Sequence, residues 1–248
     1  MLFLLAILAV AGLTHGVDGA RLGFSDKAPC RQEDLSKCGS EFVVYSNTTQ
    51  LPLDANVLQA TCRSELKSAD CTKKFTENCQ KGVVRGVALV AMQNVIDELE
   101  GKCTVGSPKH ASYLQHVPCL NKAGEAINRC AMSYIQDLTS IAEFTARKNK
   151  GPYTCCRHYR FEDCVRKAVN AKCSSAAAER YLDNILETTM GELVKLGCRR
   201  YPRQSEKCTK EFAQRKLRKA ALKDDVNIFT PLIEIIAVFL SSSPTATQ

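Results

Sequence analysis

The chain has no tryptophan, only four histidines among 248 residues, and no Cys-x-x-Cys pair. Few stretches alternate apolar and polar residues with the period of two that half-buried strands show. Neither a nucleotide-binding loop nor a serine-nucleophile elbow occurs in the sequence. The absence of these residues and motifs argues against a thiolate or histidine metal centre, a nucleotide-binding enzyme and a serine hydrolase. We therefore predict no catalytic residues, no metal ligands and no cofactor.

What the chain does contain is 14 cysteines, twelve of which form two copies of one spacing pattern. From the second cysteine of each copy, the steps are 24, 9, 8 and 24 residues in one and 25, 9, 9 and 25 in the other. An even number of cysteines in a duplicated framework is typical of disulfides formed outside the cytosol. The two copies are Cys30, Cys38, Cys62, Cys71, Cys79, Cys103 and Cys119, Cys130, Cys155, Cys164, Cys173, Cys198.

Two further features indicate export. Residues 2–13 are almost uninterruptedly apolar, which suits a signal peptide but is too short for a bilayer span of roughly 20 residues. We predict a signal peptide over residues 1–19, with cleavage after Gly19 and, as a rival site, after Gly16. Asn47 opens the Asn-Thr-Thr sequon and is the predicted glycosylation site. The expected location is extracellular.

The segments between cysteines have helical periodicity. Val84, Ala88, Ala91, Val95 and Leu99 recur at steps of three and four, which predicts a helix over residues 82–100 capped by a glycine. The corresponding part of the second copy has the same pattern. We expect an all-α protein of two tandem disulfide-stapled three-helix repeats with a C-terminal helical extension. The predicted divisions are repeat 1 at 20–104, a linker at 105–117, repeat 2 at 118–208 and the extension at 209–248.

Six cysteines allow 15 pairings, so spacing alone does not determine connectivity. If the first two helices of each copy form an antiparallel hairpin, residues equidistant from its turn face each other. A turn at Leu51-Pro52 then favours nested pairs in the first copy, and the second copy follows by analogy. The predicted pairs are Cys30–Cys71, Cys38–Cys62, Cys79–Cys103, Cys119–Cys164, Cys130–Cys155, Cys173–Cys198 and, outside the repeats, Cys156–Cys208.

The formal net charge is +8, and the excess is concentrated in residues 199–219, where nine basic residues oppose two acidic ones. Such a cluster attracts anionic proteins, glycans or lipid surfaces, although a solvated helix face is the alternative. Nucleic acid is not an expected partner, because no nucleic-acid motif is present. The basic residues are Arg199, Arg200, Arg203, Lys207, Lys210, Arg215, Lys216, Arg218 and Lys219.

The last strongly apolar stretch covers residues 226–240 and includes Glu234. It is too short for a transmembrane span, so none is predicted. A helix that packs back onto the core is one interpretation. A helix that binds a partner or lies on a membrane surface is the other.

The sequence Cys155-Cys156-Arg157-His158 is similar to the helix motif of secreted phospholipases A2. In this chain the histidine comes one residue early and Tyr159 follows it where that family has aspartate. One residue turns a helical side chain by about 100°, so the general base would face the wrong way.

A different family shares more of the pattern. The chain has Pro-Cys-Leu-Asn-Lys at 118–122, Cys130 with Tyr134, the Cys155-Cys156 pair, Phe161-x-x-Cys164-Val165, and then Cys173. Over residues 30–208 it resembles secreted, cysteine-rich helical domains of unknown function from arthropods and nematodes, and more loosely insect haemolymph glycoproteins. The resemblance implies an extracellular helical domain and supplies no catalytic residues.

The leading functional hypothesis is a secreted, non-enzymatic binding protein for an extracellular protein, glycan or lipid. The alternative is a carrier of a hydrophobic small molecule or lipid, with the apolar faces of the third helices around a cavity. A third hypothesis is membrane attack by the basic segment and the apolar tail.

Overall fold

A computed structural model describes residues 24–25, 27–212, 215–222 and 227–241. The predicted all-α class is confirmed, and the described residues contain no strand. A π-helical turn at Lys207–Glu211 lies between the last two α-helices. The α-helices are α1 (Gln32–Ser36), α2 (Ala55–Cys79), α3 (Gly82–Cys103), α4 (Pro108–Phe144), α5 (Arg147–Asn170), α6 (Ala176–Cys198) and α7 (Phe229–Ser241). The predicted signal peptide, residues 1–19, lies outside the described residues.

The first helix of the first repeat is shorter than the three-helix repeat predicted, and it contains neither Cys30 nor Cys38. The five-residue helix α1 is followed by an irregular segment, residues 37–54, that lies against α4. The Tyr45 hydroxyl donates to Asn121 Oδ1 at 3.0 Å, and Asn128 Nδ2 donates to the Tyr45 carbonyl at 2.7 Å. The segment approaches α4 closely at Gly124, where a Cβ would lie only 1.9 Å from the Thr49 carbonyl oxygen. Side-chain amides therefore satisfy backbone groups that a helix would have paired.

All 14 cysteines are joined in seven disulfides. The predicted Cys156–Cys208 bond is confirmed. The other six predicted pairs are wrong: Cys30–Cys71, Cys38–Cys62, Cys79–Cys103, Cys119–Cys164, Cys130–Cys155 and Cys173–Cys198. The observed bonds are Cys30–Cys79, Cys38–Cys71, Cys62–Cys103, Cys119–Cys173, Cys130–Cys164 and Cys155–Cys198.

The reason for the error is the position of the turns. The pairs are nested as expected, but the midpoints of Cys30–Cys79 and Cys38–Cys71 both fall at 54.5, where Asp54 caps α2. In the second half, the midpoints of Cys119–Cys173 and Cys130–Cys164 fall at 146 and 147, beside the turn between α4 and α5. Gly151-Pro152, a pair of residues that often ends helices, lies inside α5.

The two sets of six cysteines are connected in the same order: first to fifth, second to fourth and third to sixth. The predicted linker, residues 105–117, is mostly the beginning of α4, and its Tyr113 and Val117 are buried. They share one hydrophobic cluster with Leu58 of the first half and Val169 of the second. The halves are therefore packed together, while their origin by duplication stays a prediction.

The apolar tail forms α7 and packs onto the core, so its interpretation as a core helix is confirmed. Phe229 and Ile233 join a cluster with α2 and α3, whereas Leu232 and Ile235 join one with α4 and α5. Asn227 anchors the helix start: its Oδ1 accepts from the Phe229 N–H at 2.9 Å, and its Nδ2 donates to the Gly39 carbonyl at 2.6 Å. The predicted membrane-surface role of the tail conflicts with this burial.

Replacement of Ile233 by alanine tests the contribution of α7 to the core. Ile233 is fully buried, so we expect Ile233→Ala to lower the free energy of unfolding by about 2–5 kcal/mol, measured by urea denaturation. Leu53 is 52% exposed, and Leu53→Ala is the control, with an expected change within about 0.5 kcal/mol. Equal effects of the two substitutions would contradict the packing of α7.

Candidate functional site

An apolar cavity of about 620 Å³ lies between α3, α5, α6 and α7, with one contribution from α4. Its volume lies within the range of about 300–1,000 Å³ that is usual for small-molecule sites. The disulfide Cys155–Cys198 contributes to the wall and ties α5 to α6 there. The buried lining residues include Tyr134, Gly151, Pro152, His158, Leu232, Ile235 and Val238.

The mouth of the cavity is defined by lining residues that are exposed to solvent. Val83 of α3 and Leu196 of α6 are 62% and 72% exposed, which is unusual for aliphatic side chains. Arg147 and Lys148 at the start of α5, and Arg200 just after α6, are the exposed charged residues of the lining. An apolar interior thus opens through a rim that is both apolar and basic.

Helix α3 reaches the cavity because it is apolar on more than one side. The buried residues Ala88, Ala91 and Val95 confirm the predicted stripe. Val83 and Val87, outside that stripe, face the cavity instead. We did not predict a role for Val83 and Val87 from the sequence. The available signal was that apolar residues occur all around this helix, and such helices have contacts on several faces. A smaller cavity of about 130 Å³ continues between α3 and α6.

The polar groups at the bottom of the cavity are paired with protein. His158 is 3% exposed, and its Nδ1 lies 3.3 Å from the Tyr134 hydroxyl, while its Nε2 lies 3.2 Å from Glu162 Oε1. Glu162 also forms an ion pair with Arg203. Both ring nitrogens of His158, the histidine of the phospholipase-like motif, therefore have partners within the protein.

Charge and burial act in opposite directions on Glu162. Burial would raise the pKa of its carboxyl group, but the hydrogen bond and charge of His158, together with the charges of Arg203 and Arg166, outweigh burial and hold this pKa below its ordinary value. For Tyr134, burial is the main cause that raises the pKa of the hydroxyl. Tyr134 therefore remains a neutral hydrogen-bonding group at ordinary pH.

The predicted basic patch is divided by the structure. Arg203 pairs with Glu162 and Asp163, Lys207 lies over the Tyr201 ring, Lys210 pairs with Glu206, and Arg218 stacks on Phe144. These four basic residues have contacts within the chain. The other five basic residues are exposed and have no such side-chain contact with the described part of the chain: Arg199, Arg200, Arg215, Lys216 and Lys219.

Two other candidate positions have simple structural descriptions. Asn47 is exposed, as a glycan acceptor must be, and its glycosylation stays a prediction. Cys62, Glu65 and Cys103 lie close enough together to suggest a metal site. Cys62 and Cys103 form a disulfide, however, and Glu65 forms an ion pair with Lys102, so these sulfurs are not thiolate ligands.

Comparison of the chain with family models, curated proteins and solved structures gave no match. The resemblance to cysteine-rich helical domains therefore stays a prediction. Within the described ranges, no helix combines the length and hydropathy needed to cross a membrane.

The depressed pKa of Glu162 predicts a pH dependence of stability. Because its pKa is lower in the folded than in the unfolded protein, its stabilising contribution is present above about pH 4.5 and is lost as the pH falls through the folded pKa. We expect Glu162→Gln to lower the free energy of unfolding by about 1–3 kcal/mol at neutral pH, and by less in acid. Urea denaturation of both proteins between pH 3 and 7 measures this difference. A difference that is independent of pH would contradict the charged pairing.

Proposed function

We propose that this chain is a secreted, non-enzymatic binding protein that carries a hydrophobic small molecule or lipid. The observation that supports this function best is the cavity of about 620 Å³, whose buried wall is mostly apolar. Burial of a ligand's apolar surface in such a cavity would supply the binding free energy, at roughly 25 cal/mol per Å². The wall includes both α3 and α6, the last helices of the two disulfide-linked halves.

Secretion is supported by the disulfides. Seven bonds use every cysteine, a pattern that persists in oxidising compartments and not in the cytosol. Each bond adds roughly 2–4 kcal/mol by restricting the unfolded chain. A carrier gains from this, because crosslinked helices can hold a cavity open that a weaker core would close.

A non-catalytic role is supported by the state of the reactive groups near the cavity. The cysteines of its wall are oxidised, and the ring nitrogens of His158 are engaged by Tyr134 and Glu162. A general base needs a free nitrogen within hydrogen-bond reach of its substrate. The arrangement instead supplies a rigid, polar support behind an apolar wall.

A neutral dye tests the proposed carrier function. We expect the purified, secreted protein to bind Nile red saturably, with an increase in fluorescence as the dye enters the cavity. Val194 of α6 lines the cavity and is half-buried, so Val194→Phe fills part of the space and should weaken dye binding by about tenfold or more.

The matched control is Val57→Phe, which makes the same substitution on α2 at a side chain that is 54% exposed and outside the cavity. It should bind dye like the unmodified protein, and circular dichroism should show that both variants fold. Organic extraction of the secreted protein should also release a co-purified apolar molecule. Non-saturable dye binding, or equal binding by both variants, would contradict the carrier function.

A further inference from the structure

We infer that the ligand is a long-chain carboxylate, bound with its hydrocarbon chain inside the cavity and its anionic head at Lys148 and Arg200. This inference rests on the proposed carrier function and specifies its ligand class. It comes from the different chemistry of the two ends of the cavity, which are basic at the mouth and apolar, with paired polar groups, at the bottom.

The mouth has charge of one sign. Arg147, Lys148 and Arg200 all line the cavity and are exposed, and the described lining contains no aspartate or glutamate. No ion pair joins Lys148 or Arg200 to a carboxylate of the described residues. Two cations at an apolar opening favour a ligand whose charge is negative and whose remainder is apolar.

The bottom of the cavity determines which end of an amphiphile enters first. The Tyr134 hydroxyl and both nitrogens of His158 already have partners in the protein. A buried carboxylate at this position would lose its hydration without gaining a new donor, which is unfavourable. Leu232, Ile235 and Val238 also line the cavity and would contact a hydrocarbon chain favourably.

The exposed aliphatic residues at the rim fit the same orientation. Val83 and Leu196 lie at the opening, where the first methylene groups next to the carboxylate would pass. A bound chain would cover these side chains and remove their apolar surface from water. The inference therefore also accounts for two large aliphatic side chains that are otherwise exposed.

The experiment compares two ligands that differ mainly in charge. Dodecanoate and dodecanol are titrated against the protein with Nile red bound, at low salt and neutral pH. We expect dodecanoate to displace the dye at about tenfold lower concentration than dodecanol, and this preference should shrink as salt is added. Within the carboxylate series, each added methylene should strengthen binding by up to about fourfold until the cavity is full.

Charge-neutral variants locate the head group. The double variant Lys148→Gln with Arg200→Gln should bind dodecanol normally and lose the preference for dodecanoate. The matched control is Arg215→Gln with Lys216→Gln, which removes the same two charge types from exposed positions outside the lining. This control should keep the preference for dodecanoate.

The outcomes separate this inference from the carrier function. If Nile red binds in the cavity but dodecanoate and dodecanol compete equally, the assigned ligand class is overturned while the carrier function stands. Equal losses in both double variants would also overturn it, because net charge and not the mouth would then be responsible. If Val194→Phe leaves dye binding unchanged, the carrier function itself fails.

Discussion

Disulfides that join neighbouring helices across their turns hold this fold in register. Cys130–Cys164 joins α4 to α5, and Cys119–Cys173 joins α4 to the residues just after α5. Cys62–Cys103 joins α2 to α3, and Cys155–Cys198 joins α5 to α6. Such bonds fix the register of antiparallel helices as well as restricting the unfolded chain. With the register fixed, α3 and α6 are held beside each other, although their facing surfaces leave space between them.

That space is closed on one side by α7, which contacts both halves. Ile233 packs towards α3, and Ile235 packs towards α4 and α5, so one helix completes two hydrophobic clusters. The same helix contributes Leu232 and Val238 to the cavity wall. The C-terminal helix is therefore part of the core and part of the proposed binding site, and its hydrophobicity is explained by these two roles.

The helical class and the buried stripe of α3 followed from residue spacing, because helix periodicity is a local property. The Cys156–Cys208 bond followed because these two cysteines lie outside the repeats. The other pairings failed although the nesting rule was correct. The rule needs the position of each turn; we placed the first turn at Leu51-Pro52 and paired the second copy by analogy. The pairs of the first half are centred at 54.5 instead, beside the Asp54 cap of α2. The second half reverses at Thr145-Ala146, where neither proline nor glycine marks the turn. A displacement of four or five residues was enough to exchange every partner.

Composition and periodicity were enough to predict a helical, disulfide-rich and basic protein, since they reflect local and covalent chemistry. Which basic residues line the cavity depends on the tertiary fold. Arg203 and Lys207, four residues apart, contact carboxylates and a ring, whereas Arg200 and the distant Lys148 line the same cavity. A cavity belongs to no single helix, because its shape and charge arise where α3, α5, α6 and α7 pack together. That packing depends on long-range contacts, which no local pattern in the sequence encodes.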